Sequence, residues 1–480
     1  MSNESKNYEN KFTIISGRNL SFIILAFSLV AIFSITAYYE VIPSGLTPAG
    51  QIMIGILLMA AVLWITEAIP LPVTGLLIMI MQPLLRVMSA GKVFSSFGNE
   101  AVFFLIGAFI LASAIEKHGL HRRIALKFLS YFENNPRFFT LGIMSSCAFL
   151  SFVMPEHGVA ALFLPIITSI LIAMKIVPKQ SNFGKVSMLC VAYGCSIGSL
   201  GTLIGGARNP LTIGFLSNIG ITVTFFDWML YAMPVVFIAL PLVWLVIQFS
   251  FPIEINDITL AKKEISNQVA KEGKIGKTEI MVLGIFLITL FLWIFFSQYT
   301  YFGLAGIALL GGILLFITGC LDWKDVEQRV PWGIILLYGG AITLGIGILE
   351  TGAARWIANA LFNVIGENPY LIILGLIVIT IFLTEMMSNT GAVAMLLPVG
   401  FAIATGGISG VSPLLASMII ALSGGLAFML VIATPGNAIT YSSGYFSTRD
   451  LFKSGIIANI LCIIVVFTVA IVYWKGVLNL

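Results

Sequence analysis

The stretch "MPEHGVAALFLP" occupies residues 154–165, and "MSNTGAVAMLLP" occupies residues 387–398. Set over one another at an offset of 233, they pair Met154 with Met387, Gly158 with Gly391, Ala161 with Ala394, Leu164 with Leu397 and Pro165 with Pro398. The same offset lays "IGAFILASAIEKHGLHRRIA" (106–125) over "GGAITLGIGILETGAARWIA" (339–358), matching Gly107 with Gly340, Gly119 with Gly352, Arg122 with Arg355 and Ala125 with Ala358. One offset serving two separate segments marks a duplicated unit. The chain reads as a tail and first helix (1–49), repeat one (50–250), a polar linker (251–278) and repeat two (279–480).

Of the 480 residues, 59% are hydrophobic and only 10% charged, with a mean hydropathy of +1.04. Soluble domains carry about 25% charged residues, so the solvent for most of this chain is lipid. Fifteen apolar segments recur from 20–38 to 455–474, which predicts a polytopic all-α protein of the plasma membrane. The polar first 19 residues precede an apolar run long enough to span, the pattern of an uncleaved first helix. The five cysteines, Cys147, Cys190, Cys195, Cys320 and Cys462, show no metal-ligand spacing and read as free packing thiols. Loops 117–127 and 175–185 and the segment 254–279 are rich in Lys and Arg, which places them on the cytoplasmic side. The last of these reads as a solvated linker helix.

Several apolar segments are too short for a crossing of about 20 residues and come in pairs broken by Gly or Pro, as re-entrant hairpins do. Two polar interruptions occur in each repeat. The first pair is Pro155-Glu156-His157-Gly158 and Ser388-Asn389-Thr390-Gly391. The second is "GTLIGGARNP" (201–210) and "VIATPGNAIT" (431–440), which align on Asn209 and Asn437. Irregular backbone at membrane depth survives only where it lines a cavity or is buried in protein. The four interruptions are therefore expected to converge on one cavity near the midplane. Paired repeats with broken helices are the signature of secondary transporters, whose half-helix N-termini face anionic groups.

"SNTGAVAMLLP" followed by "ATPGNAI" resembles the divalent anion–sodium symporter (DASS) family, and the resemblance covers essentially the whole chain past the first helix. It implies two inverted repeats, a scaffold domain holding a homodimer, and a transport domain that moves as an elevator with dicarboxylates, tricarboxylates or sulfate. It places Ser388, Asn389, Thr390 and Gly391 at the second hairpin tip, with Asn389 and Thr390 touching a substrate carboxylate. Thr434, Pro435 and Asn437 stand at the second unwound loop, where Gly436 replaces a proline. A residual sodium site would use Thr384, Met387, Asn389 and Ala433. No other cofactor is implied, and the partners are dicarboxylate anions, membrane lipids and a second copy of the chain, not nucleic acid.

The first repeat departs from that pattern. Pro155-Glu156-His157 stands where the family has Ser-Asn-Thr, and Gly205-Gly206-Ala207-Arg208-Asn209 where it has Gly-Thr-Pro-Pro-Asn. Neutral sodium ligands are gone, and a guanidinium that cannot lose its proton has arrived. Arg208, with His157, would then be a built-in counter-charge, and a carrier balanced only when loaded is an exchanger. Three roles are open for Glu156: partner of Arg208, proton carrier or cation ligand. His157 either caps the hairpin tip or touches substrate. Arg208 either serves the site or snorkels to the headgroups. Gly158 and Gly391 suit tight turns, and Glu67 and Glu385 read as structural. The expected function is sodium-independent exchange of C4–C5 dicarboxylates (the succinate, malate, fumarate and 2-oxoglutarate class). The alternatives are sodium-coupled symport, or transport of sulfate or another divalent oxyanion. An intramembrane enzyme is disfavoured, since the chain has no HExxH and no paired intramembrane aspartates; an ATP-driven pump lacks its GxxxxGK[ST] loop.

Overall fold

The computed structural model describes residues 17–132, 135–299, 301–366, 368–405 and 410–480; most of the expected N-terminal tail lies outside the described residues. The described elements are helical. A leading helix α1 (Gly17–Tyr38) is followed by repeat one: α2 (Pro48–Thr66), α3 (Leu71–Leu84), α4 (Ala90–Ser95), α5 (Glu100–Lys117), α6 (Leu120–Leu129), α7 (Pro136–Leu150), α8 (Glu156–Ala173), α9 (Asn182–Gly198), α10 (Arg208–Asn218) and α11 (Phe225–Ser250). The linker forms α12 (Thr259–Glu272). Repeat two supplies α13 (Lys277–Phe296), α14 (Gly303–Ile317), α15 (Trp323–Arg329), α16 (Trp332–Glu350), α17 (Ala353–Ile365), α18 (Pro369–Met386), α19 (Asn389–Thr405), α20 (Pro413–Ser423), α21 (Pro435–Tyr441) and α22 (Thr448–Thr468). Nine helices among the described residues are long and apolar enough to cross a membrane.

The duplication extends to the devices that start and stop helices. Asn135 caps α7 by accepting from Arg137 N, and Asn368, 233 positions on, caps α18 by accepting from Tyr370 N. In both a proline fills the first helical position, where its missing N–H costs nothing. Ser181 and Ser412 cap α9 and α20. Thr224 with Asp227, and Ser447 with Asp450, form capping boxes on α11 and α22. Gly119 and Gly352 both take positive φ, 68° and 76°, ending α5 and α16 and turning the chain into the short helices α6 and α17.

Packing repeats as well. The α5–α14 crossing is closest where Gly107 meets Ala308; a Cβ on Gly107 would lie 2.5 Å from the Ala308 carbonyl carbon. The α3–α16 crossing is closest where Gly340 meets Gly75. Gly107 and Gly340 are repeat counterparts, and so are Gly75 and Ala308. Small residues are what let helices approach where lipid supplies no hydrophobic drive. Each crossing joins one helix from each repeat, so the two repeats interlock into one core.

The lysine- and arginine-rich segments lie on one side. Arg122 pairs with Glu272 at 2.9 Å, Arg123 donates to Gly273 O at 2.7 Å, Asn182 donates to Pro252 O at 2.9 Å, and Lys185 pairs with Asp450 at 3.3 Å. Helix α12 differs from the expected solvated linker. Ala261, Ile265 and Gln268 recur at helical spacing and are buried against α8 and α6. All five cysteines are buried and free.

Candidate functional site

Helices α7 and α19 have 15 and 17 residues. At 1.5 Å per residue they fall short of a hydrocarbon core about 30 Å thick. With α8 and α18 they form two hairpins whose tips meet. Glu156 is the first residue of α8 and Asn389 the first of α19, and Asn389 Nδ2 donates to Glu156 Oε1 at 3.2 Å. The other carboxylate oxygen, Oε2, accepts from Ser199 Oγ at 3.0 Å. Ser199 Oγ in turn accepts from Arg208 Nη2 at 2.6 Å, and Arg208 Nη1 stands 3.9 Å from Glu156 Oε2. Arg208 is 1% exposed and Glu156 7%. The arginine is therefore held inside the protein rather than at headgroup level, and among the roles open to Glu156 it is seen as the arginine's partner.

The two unwound loops, between α9 and α10 and between α20 and α21, are tied by one asparagine each. Asn209 Nδ2 donates to Ser199 O at 2.8 Å and Thr202 O at 2.7 Å. Asn437 Nδ2 donates to Ala427 O at 3.2 Å and Leu430 O at 3.0 Å. Each amide thus reaches the carbonyls ten and seven positions before it. Thr434 Oγ1 accepts from Asn437 N at 3.0 Å and caps α21. Gly391 N donates to Ser388 Oγ at 3.1 Å, closing the second tip.

A cavity of about 180 Å³ lies among these parts. Pro155, Glu156 and His157 line it from the first tip, and Ser388, Asn389 and Thr390 from the second. Gly205 to Arg208 come from one loop and Pro435 from the other; Leu71, Phe109, Ile334 and Leu337 form an apolar wall. All four interruptions meet there. Among the residues singled out from sequence, Gly158, Asn209, Gly391, Thr434 and Asn437 are outside this lining; Gly158 and Gly391, expected in tight turns, lie instead in the first turns of α8 and α19 with helical backbone. His157 is exposed and also lines an adjoining cavity of about 570 Å³, together with Gly158, Glu116 and Arg329. Glu116 and Arg329 pair at 3.3 Å, at the end of α5 next to the basic loop 117–127. The site thus adjoins a vestibule on the side carrying the basic loops.

Behind the second tip, oxygens cluster. Thr384 Oγ1 lies 2.6 Å from Asn389 Oδ1 and 2.9 Å from Gly424 O. Met387, two positions before Asn389, and Ala433, nine positions after Gly424, are buried as well. Hard neutral oxygens of this kind suit an alkali cation carried as cargo. The first repeat puts Glu156 where the second puts Asn389, with Arg208 and Ser199 against it.

Four contributors went unnoticed or undervalued in the sequence. Ser199 bridges Arg208 and Glu156. Gly425 makes room for the guanidinium, since a Cβ there would overlap Arg208 Nη2. The Tyr338 hydroxyl, on α16, donates to the Ala207 carbonyl of the loop. Glu385 is fully committed: Oε1 accepts from Phe428 N at 2.7 Å, Met429 N at 2.9 Å and Asn459 Nδ2 at 2.7 Å, and Oε2 from Leu430 N at 3.0 Å. A buried carboxylate thereby satisfies three backbone donors of the second loop. The serine and the glycine carry no sequence signal of their own; the glutamate's signal was a lone acid inside an apolar run.

Comparison with known proteins shows what the chain as a whole is similar to. A family model described as the sodium:sulfate symporter transmembrane region matches residues 20–480. The sodium-dependent dicarboxylate transporter SdcS of Staphylococcus saprophyticus is 32% identical over 460 residues, covering 90% of this chain and 87% of its own. The Staphylococcus aureus protein of the same description is 31% identical over 455 residues, covering 89% and 86%. Among solved structures, Neisseria gonorrhoeae MtrF, of a class of antimetabolite efflux pumps, is alike in fold with a TM-score of 0.59 at 12% identity over 94% of both chains. The YdaH transporter of Alcanivorax borkumensis gives 0.56 at 12% identity, over 80% of this chain and 88% of its own.

Proposed function

This chain belongs to the divalent anion–sodium symporter family of membrane transporters, and we propose that it exchanges C4–C5 dicarboxylates across the plasma membrane without needing sodium. The carboxylates bind in the cavity between the hairpin tips. Helices α7–α11 and α18–α22 move together as the transport domain of an elevator. Helices α2–α5 and α13–α16 form the scaffold on which two copies dimerise. The dicarboxylate description of the SdcS relatives supports the substrate class, as does a cavity bounded by two equivalent tips, one for each end of a dianion.

The observation that carries the coupling is the Arg208–Ser199–Glu156–Asn389 chain of contacts. A permanent cation of the protein sits in the first repeat, beside the position that in the second repeat belongs to a cluster of neutral oxygens. Glu156 offsets that cation, so the fixed charges of the pair sum to zero. What remains is the field of the helix starts. α8, α10 and α19 all begin at the cavity, joined by the shorter α21, and α8 and α10 have no side-chain cap. Each full helix start is equivalent to roughly +0.5 charge, giving about +1.5 to +2 among them. A dicarboxylate matches that field. The loaded site is balanced and the empty one is not, so the carrier crosses readily only when loaded.

A sodium-coupled reading is favoured by one observation, the oxygens of Thr384, Asn389 and Gly424. Uptake of labelled succinate into proteoliposomes separates the two. Exchange requires unlabelled dicarboxylate inside and is indifferent to external sodium. Strong sodium-driven uptake into empty vesicles refutes it.

A further inference from the structure

We infer that the transport half of the molecule carries a binding site for an anionic phospholipid of the cytoplasmic leaflet, with the phosphate on Arg449 and an acyl chain against Met429–Ile432 and Phe452. A groove of about 510 Å³ is formed there by the second unwound loop and the first turn of α22. It lies on the side carrying the basic loops, as the Lys185–Asp450 pair shows.

Three features identify the occupant. The first is charge. Arg449 is exposed and makes no ion pair or hydrogen bond with the described residues. Its neighbours are engaged: Asp450 holds Lys185 and Ser447, and Lys453 donates to Ser250 O and stands over the Phe251 ring. An exposed guanidinium at this level, with no partner among the described residues, is free to take an anion.

The second is depth. The apolar span that begins at Thr448 runs 28 residues, to Lys475. At 1.5 Å per residue it is about 42 Å long against a hydrocarbon core of about 30 Å. Its first turn, with Arg449, therefore stands among the headgroups. Below it Phe452, Ile456, Ile460 and Ile464 are all exposed at four-residue spacing. That stripe is a lipid-facing track leading from the arginine into the bilayer.

The third is the floor. Ile432 is 73% exposed on a stretch of non-helical backbone. Such backbone is excluded from the hydrocarbon interior, so the loop stands at the headgroup boundary with Arg449, and there it still needs its donors satisfied from within. Glu385 does this for the N–H groups of Phe428, Met429 and Leu430. The loop can then turn apolar side chains outward, which a free phosphate ion would not need and an acyl chain would. Pro435, three residues past Ile432, lines the substrate cavity. One short loop thus has lipid on its back and substrate on its front.

The test is binding, so it stands whether or not the transport reading does. The full-length protein is extracted from bilayers of mixed phosphatidylglycerol and phosphatidylcholine, and retained lipid is counted by native mass spectrometry. The wild type should retain phosphatidylglycerol in preference. Arg449→Gln should lower that retention about fivefold, the effect of one basic residue at an anionic surface. Lys127→Gln, a basic change elsewhere on the same side, should leave it unchanged. Equal retention by wild type and Arg449→Gln overturns the site. Displacement of the lipid by millimolar inorganic phosphate overturns the acyl-chain contact, leaving an anion site without a lipid.

Discussion

Asn389 donates its amide to the carboxylate of Glu156 at 3.2 Å, and the two residues are 233 positions apart, the offset of the internal repeat. Residues beside a pseudo-twofold axis meet their own counterparts, so this hydrogen bond locates the axis at the hairpin tips. It also locates the broken symmetry. One repeat offers a neutral amide there and the other an acid, and the acid has brought an arginine and a serine with it.

Replacing Glu156 with Gln leaves Arg208 as an unpaired buried charge. Removing one partner of such a pair costs about 3–5 kcal/mol. A bound dicarboxylate supplies the missing negative charge. The variant should therefore melt well below the wild type when empty and gain more than the wild type from added succinate. Thermal unfolding in detergent, with and without ligand, reads both; an unchanged ligand gain would detach Glu156 from the substrate's charge balance.

Asn389→Ala and Thr390→Ala should each keep the protein folded while weakening dicarboxylate binding. A carboxylate deprived of one charge-assisted hydrogen bond loses about 1.5–3 kcal/mol, or about ten- to hundredfold in affinity. Isothermal binding and uptake measurements on both variants are the check, and wild-type affinity in both would remove these residues from the site.

Gly425→Ala should act largely through Arg208, because the added methyl collides with the guanidinium as well as with Leu200 Cδ2. Overpacking of this kind costs about 1–3 kcal/mol. In an Arg208→Ala background the guanidinium is gone and only the Leu200 contact remains, so the methyl should cost less. A double-mutant cycle on unfolding stability measures the difference; fully additive losses would show that the glycine serves something else.

Much of this was legible in the sequence, and the reasons are physical. Duplicated helices need duplicated caps and crossings, so Asn135 with Asn368, and Gly107 with Gly340, repeat at one offset. Irregular backbone in lipid must be buried, so the four interruptions had to meet. That the counterparts Glu156 and Asn389 face each other is seen only in the structure. What could not be read is the partner of each polar group across the fold. Ser199 is one serine among many until Arg208 and Glu156 close on it. Glu385 looked like a flank of an apolar segment because nothing local shows that the donors of residues 428–430 lie within its reach. The linker helix α12 looked solvated because its buried stripe of Ala261, Ile265 and Gln268 is short and interrupted by charge.

Glu385→Gln should be costly although the side chains are the same size. The carboxylate accepts four hydrogen bonds, three from backbone N–H groups. An amide places its own NH2 against at least one of those donors, leaving buried groups unsatisfied at about 1–3 kcal/mol each. The loop carrying Pro435 should loosen and transport should fall, while the first-repeat loop keeps its protection. Hydrogen exchange over residues 424–434 against residues 199–207 tests this, and equal protection in both loops of the variant would contradict it.

The coupling proposal is decided by Arg208 and Glu156 together. Arg208→Gln removes the cation and leaves the buried carboxylate facing a dianion. At about 4–6 Å in an effective dielectric near 20, each such charge pair is worth roughly 3–4 kcal/mol, so dicarboxylate affinity should fall by more than a hundredfold. Adding Glu156→Gln removes the repulsion and restores a site whose charge is that of the helix starts alone. The double variant should therefore bind better than Arg208→Gln and still require counter-substrate for uptake. If instead the double variant becomes sodium-dependent, the arginine was standing in for a transported cation and the oxygens of Thr384, Asn389 and Gly424 complete a working sodium path. Unchanged affinity and exchange in Arg208→Gln itself would show that this arginine is a structural tie between the loops with no part in the site's charge balance.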